Sequence, residues 1–193
     1  MMPLLVQADS MPPQPWRNGG GQTRELLVWP TTGDWRLRIS RADITSDGPF
    51  SAFPQVTRWF AVLHGTGVAL TFAGRELVLR PGDAPLCFDG AAAPGCRLLG
   101  GATQDLNLMT RNGSGTMRQA VAGQSWNEPF AKRGLYTLVA GNWRDSRRAW
   151  AIAAHTLLWV GDGRGGGGDA WTFEPSEPGA PCAAWWLGFT PEG

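Results

Sequence analysis

The sequence has very few of the residues that hold metal ions. His64 and His155 are the only histidines among 193 residues, so a centre with two closely spaced histidines and a distant third cannot be built. Cys87 and Cys96 could act as soft ligands, but no nearby residues complete a set of four. We therefore expect no functional metal and no other cofactor.

Strong net charge, long apolar runs and paired cysteines are also missing. The formal net charge is +1, from 17 basic and 16 acidic residues, so no overall field attracts nucleic acid. No run of roughly 20 apolar residues could cross a membrane, and the N-terminus lacks the basic start and apolar run of a signal peptide. Three cysteines without Cys-x-x-Cys spacing indicate free, mostly buried thiols. These absences predict a cytoplasmic protein that binds neither nucleic acid nor membrane.

The most distinctive short stretch contains three consecutive glycines and reads Trp16-Arg17-Asn18-Gly19-Gly20-Gly21-Gln22-Thr23-Arg24-Glu25. A phosphate-binding loop would need a strand before it, a Lys-Ser or Lys-Thr pair within it and a helix after it. Here prolines precede the glycines, the only lysine is Lys132, and residues 25–30 form a short apolar run closed by proline. We interpret the glycines as a tight turn that either a ligand or a neighbouring strand approaches closely.

Glycine and proline, at 27 and 15 residues, separate many short apolar runs, which is typical of β structure with frequent turns. No stretch of eleven or more residues keeps a helical period. We predict an all-β protein of barrels or sandwiches, divided near Gly113. The predicted strands are 25–29, 35–42, 58–63, 67–72, 75–79, 85–88, 97–99 and 104–110, followed by 134–140, 150–159, 170–174 and 183–189. Residues 161–168 are predicted to form a hairpin loop.

Several motifs then occur in a fixed order and give the chain a family resemblance. They are Asn18-Gly19-Gly20-Gly21-x-Thr23-x-Glu25, Arg38-x-Ser40-x-Ala42, Gly48-Pro49-Phe50-Ser51-x-Phe53-Pro54 with Arg58, Leu63-x-Gly65 and Asp105-x-Asn107-x-Met109. In this order and spacing the chain resembles the HutD/Ves family of bacterial proteins. The motifs cover residues 16–111, and no motif in the C-terminal part matches the family.

The resemblance implies a cupin-type β-barrel or jelly-roll fold with two fused halves, a bicupin. Residues 1–113 would form an N-terminal barrel that carries the motifs, and residues 114–193 a second barrel half packed with the first as one compact unit. It also implies a cytoplasmic protein associated with histidine utilisation. No demonstrated enzyme activity comes with the family.

Alternation along the strands suggests which side chains face the interior of the first barrel. If Leu37 and Ile39 pack outward, Arg38 and Ser40 point inward, and Asp105, Asn107 and Met109 do likewise. In the opposite register these polar residues form a solvated face. A third alternative is a buried ion pair between Arg38 and Asp105 that involves no ligand. The candidate ligand-binding residues are Asn18, Thr23, Arg38, Ser40, Phe50, Ser51, Phe53, Arg58, Asp105 and Asn107, with Asn18 and Thr23 at the barrel mouth.

Arg38 and Arg58 are the candidates for gripping a carboxylate, because a guanidinium can donate two parallel hydrogen bonds to it. We therefore expect a small carboxylated metabolite, under the resemblance urocanate or a formylated glutamate, bound by a sensor or modulator of histidine degradation. The alternative is a metal-independent isomerase or hydrolase that acts through Glu25, Asp105 or His64. A third alternative is an interaction protein with closed barrels and no pocket. A homodimer formed through a sheet face is common enough to expect, although no residue argues for it specifically.

Overall fold

The computed structural model describes residues 3–161, 169–177 and 183–193. Within these ranges the chain is built of strands, and the only helices are two 3-10 turns, Ala8–Ser10 and Gly90–Ala92. The prediction of an all-β protein is therefore confirmed. No helix in these ranges is long and apolar enough to cross a membrane.

The strands are numbered in chain order. The first nine are β1 (Leu4–Gln7), β2 (Pro13–Pro15), β3 (Gly21–Trp29), β4 (Leu37–Ile44), β5 (Gly48–Pro49), β6 (Thr57–His64), β7 (Val68–Phe72), β8 (Arg75–Leu79) and β9 (Leu86–Asp89). The others are β10 (Gly95–Leu98), β11 (Thr103–Thr110), β12 (Gly113–Gln119), β13 (Lys132–Thr137), β14 (Gly141–Arg144), β15 (Ala149–Ile152), β16 (Thr156–Val160), β17 (Thr172–Pro175) and β18 (Ala184–Pro191).

The chain divides into two compact units. One is continuous, Met11–Gly113, and the other combines Met1–Ser10 with Ser114–Gly193. The first residues join the second unit because strand β1 pairs antiparallel with β16, with Leu4 opposite Trp159. No sequence motif marks this pairing, since a four-residue strand is too short for its alternation to stand out.

The unit Met11–Gly113 contains two sheets. One has six strands in the order β2-β3-β4-β11-β6-β9, and the other has four in the order β5-β10-β7-β8. A cluster of buried side chains fills part of the interior and includes Ile44, Phe50, Phe60, Val62, Val68, Leu70 and Cys96. The proline-rich β2 lies at an edge of the six-stranded sheet, where a missing N–H group costs no ladder bond.

The register of the six-stranded sheet decides which side chains face the interior. Strand β11 pairs with β4 on one side and with β6 on the other, so Met109 lies opposite both Arg38 and Arg58. Two residues before Met109 on β11, Asn107 lies opposite both Ser40 and Phe60. Because side chains alternate along a strand, these residues share one face of the sheet. On the opposite face Leu37, Ile39, Leu106 and Leu108 are fully buried.

The other unit also contains two sheets. Its five-stranded sheet has the order β1-β16-β13-β18-β12, and its three-stranded sheet the order β15-β14-β17. Its buried cluster is rich in tryptophan: Trp126 stacks on Trp186 with ring centroids 5.4 Å apart, and Trp143 meets Trp171 edge-on at 5.0 Å. Many of the eleven tryptophans are thus packing residues, as large rings usually are.

Arg133 is buried within this tryptophan cluster. Its guanidinium lies 4.5 Å from the ring centroid of Trp126 and 4.2 Å from that of Trp171. It donates hydrogen bonds of 2.8 Å to the carbonyl oxygens of Trp126 and Asp169. Burial lowers the pKa of Arg133 to about 10, so the side chain is still a cation at neutral pH. The rings and the two carbonyl groups replace the water that the cation loses.

Three sequence expectations for local structure need correction. The predicted strand 150–159 is two strands, β15 and β16, which belong to different sheets; the chain turns between them at His155, where φ is 56°. Strands β1, β2, β5, β12 and β14 were not predicted, because they are short or rich in proline or glycine. Cys96 is buried but Cys87 is exposed. Cys182 and most of the predicted loop 161–168 lie outside the described residues.

Candidate functional site

A cavity of about 510 Å³ opens in the unit Met11–Gly113. This volume suits a small organic ligand. The expectation of a closed barrel without a pocket is therefore wrong for this unit. The residues that line the cavity are Gln14, Pro15, Trp16, Arg17, Asn18, Thr23, Arg38, Ser40, Ala42, Pro49, Phe50, Ser51, Phe53, Arg58, Asn107 and Met109.

Two arginines of the cavity lining lie side by side on the six-stranded sheet, one on each side of strand β11. Arg38 of β4 and Arg58 of β6 flank Met109 of β11, so their Cα atoms are about 10 Å apart, two strand spacings. Arg17 adds a third guanidinium to the lining, and no lining side chain is acidic. The cavity is therefore suited to an anion.

Arg58 is buried against aromatic rings. Its guanidinium carbon lies 4.4 Å from the ring centroid of Phe50 and 5.5 Å from that of Phe88. Its Nε donates a 2.8 Å hydrogen bond to Oδ1 of Asn107. This bond engages Nε, while four of the five guanidinium N–H donors are on the two terminal nitrogens. Burial lowers the pKa of Arg58 to about 10, so it is still a cation at neutral pH.

A hydrogen-bonded chain continues from Arg58 away from the cavity. Nδ2 of Asn107 donates a hydrogen bond to Oδ1 of Asp105, a residue that is 1% exposed. Burial raises the pKa of the Asp105 carboxyl to about 7, while the nearby Arg58 cation and the bond from Asn107 act in the opposite direction. The carboxyl therefore keeps its proton to a much higher pH than an ordinary aspartate does.

Arg38 has a different partner from the one considered in the sequence. Its Nε lies 3.0 Å from Oε2 of Glu25 on β3, and the two side chains are 19% and 36% exposed. Asp105 instead connects through Asn107 to Arg58. The hypothesis of an Arg38–Asp105 ion pair is thus wrong: the residue opposite Asp105 is Ala42, four residues further along β4 than Arg38.

Gly19 and Gly20 of the glycine triplet lie in the turn between β2 and β3 at the edge of the cavity, and Gly21 is the first residue of β3. Gly19 has φ of 71°, and the N–H of Gly20 donates to Oδ1 of Asn18 at 3.0 Å. A Cβ atom on Gly21 would lie 2.3 Å from the carbonyl oxygen of Asp43 and 3.2 Å from the Trp16 ring. Of the two open interpretations, close packing of a neighbouring strand thus holds at Gly21, since β4 approaches its backbone.

Trp16 forms a wall of the cavity beside this turn. Its Nε1 donates a 2.8 Å hydrogen bond to Oγ1 of Thr23. Its ring meets that of Phe50 edge-on, with centroids 6.5 Å apart and an interplanar angle of 85°. The indole is therefore held in one orientation from two sides.

The structure brings nine of the ten sequence-predicted site residues to the cavity lining, in the inward register. Asp105 is the exception: it lies behind Asn107 and does not line the cavity. Seven lining residues were not predicted. Ala42 and Met109 share the alternation of Arg38 and Asn107. Met109 was expected to point inward, but neither residue was included among the ligand-binding candidates. The others are not found by alternation, because they lie in a turn or on the two- and three-residue edge strands β5 and β2: Gln14, Pro15, Trp16, Arg17 and Pro49.

The residues considered for catalysis do not converge. Glu25 is paired with Arg38, and His64 is exposed at the end of β6; neither Glu25, His64 nor Asp105 lines the cavity. Across residues 3–161, 169–177 and 183–193, no group of three or more His, Cys, Asp or Glu side chains is arranged to hold a metal ion. Burial raises the pKa of Cys96 to about 12, which keeps this thiol protonated and unreactive.

Comparison with solved structures defines the class of protein. A mutant of the oxalate decarboxylase of Bacillus subtilis matches 100% of this chain and 78% of its own chain at 9% identity, with a TM-score of 0.61, and shows the cupin-type fold alone. HutD from Pseudomonas fluorescens SBW25 matches 99% of this chain and 100% of its own, at 24% identity and a TM-score of 0.83. The fold is therefore an all-β cupin-type β-barrel.

Sequence comparison defines the family. The family model for HutD matches residues 8–169. The protein Ves of Cronobacter sakazakii is 31% identical over 162 residues, which cover 79% of this chain and 90% of that protein. The chain belongs to the HutD family.

Proposed function

We propose that this cupin-type protein binds a small carboxylated metabolite in the cavity of the unit Met11–Gly113, without a metal ion. The observation that carries the proposal is the position of Arg58: it lines the cavity, its Nε is bound by Asn107, and Phe50 covers its guanidinium at 4.4 Å. Such a guanidinium is pre-oriented, so a carboxylate gains two parallel hydrogen bonds at little entropic cost. The lining adds Arg38 and Arg17 but no acid.

The kind of metabolite follows from membership in the HutD family together with the cavity. We propose an intermediate of histidine degradation, urocanate or an N-formylglutamate-like acid, held by a cytoplasmic sensor or modulator of that pathway. A cavity of about 510 Å³ is large enough for either acid, and Trp16, Phe50 and Met109 in its lining can contact the uncharged part of the ligand. A homodimer remains part of this proposal as a prediction.

The experiment is thermal unfolding of the full chain with urocanate and with N-formyl-L-glutamate, compared with urocanate methyl ester and with N-formyl-L-glutamate dimethyl ester, in which every carboxylate is esterified. A ligand at a hundred times its Kd adds about 2.7 kcal/mol, which for a chain of this size raises Tm by roughly 5–11 °C. We expect a rise with at least one acid and none with its ester. Equal shifts with acid and ester, or a shift with Ni²⁺, Fe²⁺ or Zn²⁺ alone, would contradict the proposal.

A second measurement separates a binding protein from an enzyme. After overnight incubation, the NMR spectrum of the ligand should be unchanged, because neither Glu25, Asp105 nor His64 lines the cavity. Conversion of the ligand at a rate proportional to protein concentration would support the isomerase or hydrolase alternative instead.

A further inference from the structure

Asp105, Asn107 and Arg58 form a chain whose direction is fixed by chemistry. A guanidinium carries donors only, so the oxygen of Asn107 must face Arg58. Its NH₂ group then faces Asp105, which accepts through Oδ1. A protonated carboxyl still has an oxygen that accepts, so the chain can exist with Asp105 charged or neutral. Arg58 and Asp105 together therefore hold Asn107 in one orientation in both states.

The charges of Arg58 and Asp105 determine whether an anion is bound favourably beside Arg58. Arg58 is a buried cation, and Asp105 is the acidic group with the largest influence on it. With Asp105 ionised, the pair is neutral and an incoming carboxylate adds a buried negative charge. With Asp105 protonated, Arg58 is a cation that the incoming carboxylate neutralises. Buried charges are stable only when they are paired, so the second arrangement is favoured when the cavity is occupied.

We propose that Asp105 is a positioning residue for Arg58, acting through Asn107, and that an anion entering the cavity binds together with one proton on the Asp105 carboxyl. The inference rests on the proposed function, since it requires an anion beside Arg58. The proton comes from solvent and is released when the anion leaves. Asp105 does not line the cavity, so its effect on the ligand is through charge and through Asn107.

The groups around Asp105 are consistent with a single titration. On β4, Asp43 raises the Asp105 pKa, and on β6, Arg58 lowers it. On β10 the Cys96 thiol stays protonated, because burial raises its pKa to about 12. Arg38 of β4 acts on Arg58 as a like charge. His64 of β6 lies opposite Gln104, next to Asp105 in sequence, and is exposed.

The pKa of about 7 for Asp105 in the unliganded protein sets the pH window. A bound anion raises this pKa further, by like-charge repulsion. Affinity is then constant well below pH 7 and falls as the pH rises above 7, by up to about tenfold per pH unit. It levels off once the pH exceeds the pKa of Asp105 in the complex.

The test is calorimetric titration of the full chain with N-formyl-L-glutamate from pH 6 to 9. The carboxyl groups of this probe have ordinary pKa values of about 4 and do not titrate in this range. Each titration is made in two cationic buffers of different ionisation enthalpy, because anionic buffers would compete for the cavity. The difference in heat between the buffers gives the number of protons taken up by the unmodified protein. We expect uptake of up to about one proton above pH 7.

Two variants show where the proton binds. Asp105→Asn keeps an acceptor for Asn107 but does not titrate, so we expect binding without proton uptake, a flat pH profile and tighter binding than the unmodified protein at pH 8.5. The exposed His64→Gln variant is the control and should keep the proton uptake. If Asp105→Asn fails to fold, the two-buffer measurement on the unmodified protein still decides.

The outcomes separate this inference from the proposed function. Binding without proton uptake at any pH would overturn the inference and leave the proposed function standing. An unchanged pH profile in Asp105→Asn would also overturn it. Absence of binding by the unmodified protein throughout pH 6–9, for urocanate as well as N-formyl-L-glutamate, would overturn the proposed function, and the inference with it.

Discussion

The Nε of Arg58 donates a 2.8 Å hydrogen bond to the side-chain oxygen of Asn107, on the neighbouring strand of the six-stranded sheet. Arg58 lies opposite Met109 of β11, so the bond runs diagonally to Asn107, two residues away from Met109 on the same strand. It fixes the plane of the guanidinium against the Phe50 ring. A flexible arginine at the same place would have to lose rotamer entropy on binding, which costs roughly 0.5–1.5 kcal/mol for a long side chain.

Arg58→Lys should weaken anion binding although it keeps the positive charge. An ammonium group cannot donate to Asn107 and to both oxygens of a carboxylate in the planar geometry of a guanidinium. Loss of charge-assisted hydrogen bonds worth about 1.5–3 kcal/mol corresponds to a roughly 10- to 150-fold rise in Kd. Calorimetric titration with N-formyl-L-glutamate measures this. The control is Arg97→Lys, because Arg97 is exposed and pairs with Glu76. Equal affinities for Arg58→Lys and the unmodified protein would show that Arg58 does not hold the ligand.

Glu25→Gln should strengthen anion binding. Glu25 lies 3.0 Å from Nε of Arg38 and partly cancels its charge. Removal of this carboxylate leaves Arg38 a stronger partner for an anion in the cavity, so we expect Kd to fall by a few-fold. The pair is partly exposed, so the free energy of unfolding should change by less than about 1 kcal/mol.

The same calorimetric titration, together with urea unfolding, checks both expectations for Glu25→Gln. Glu76→Gln is the matched control, because it removes a carboxylate from Arg97, an arginine that does not line the cavity. Weaker binding in Glu25→Gln would show that Glu25 orients Arg38 and that this matters more than the charge it cancels.

Gly21→Ala should destabilise the protein more than Gly19→Ala. A Cβ atom at position 21 would lie 2.3 Å from the carbonyl oxygen of Asp43, so the backbones of β3 and β4 would have to separate. At position 19 no atom lies within 4 Å of such a Cβ atom, and only the positive φ of 71° opposes it. We expect the free energy of unfolding to fall by up to about 3 kcal/mol in Gly21→Ala and by about 1 kcal/mol in Gly19→Ala.

Urea unfolding of the two glycine variants measures the difference between them. Equal losses would mean that β4 moves away from Gly21 at little cost. The close approach would then no longer explain why a glycine stands at position 21.

The sequence predicted the inward face of the cavity better than its rim. Arg38, Ser40 and Asn107 lie on regular strands, where alternation leaves two registers and the family motif favoured the correct one. Trp16 and Arg17 belong to a turn, whose path depends on the packing of Gly21 against β4, a contact between residues far apart in sequence. The role of Asp105 was misplaced for a related reason. Alternation predicts which face of the sheet a side chain is on, but not how far it lies from the cavity. Asp105 and Asn107 share one face, yet only Asn107 lines the cavity.

The second half of the chain shows where alternation failed. Residues 150–159 are apolar enough to suggest one long strand, yet they turn at His155 and contribute to two sheets. Both sheets border the same tryptophan cluster, with Ile152 on one side of the turn and Leu158 on the other. A continuous apolar run predicts that the residues are buried, but it does not show whether they form one strand or two. The turn at His155 could therefore not be predicted from it.

The contribution of Asp105 to stability should be lost as the pH rises from about 4 to 7, and Asp105→Asn should not show this loss. The pKa of Asp105 is raised to about 7 in the folded protein from 3.8, so the folded state holds a proton that the unfolded state releases within this window. The free energy of unfolding then falls with rising pH by up to about 1.4 kcal/mol per pH unit, and the loss is complete above pH 7. This direction is opposite to that of a carboxylate whose pKa is lowered by folding, which gains stability over the same window.

Urea unfolding at half-unit pH steps measures this dependence, and the difference between the unmodified protein and Asp105→Asn isolates one group from His64, His155 and the other carboxylates. We expect the difference to favour the variant increasingly from pH 4 to 7 and to be constant from pH 7.5 to 9. A difference that does not change with pH would mean that Asp105 is ionised in the folded protein throughout, with Arg58 and Asn107 outweighing burial. A bound anion would then have to raise the Asp105 pKa from its ordinary range to above 7 before a proton could be taken up. A stability difference that is independent of pH therefore predicts no proton uptake in the calorimetric test above pH 7.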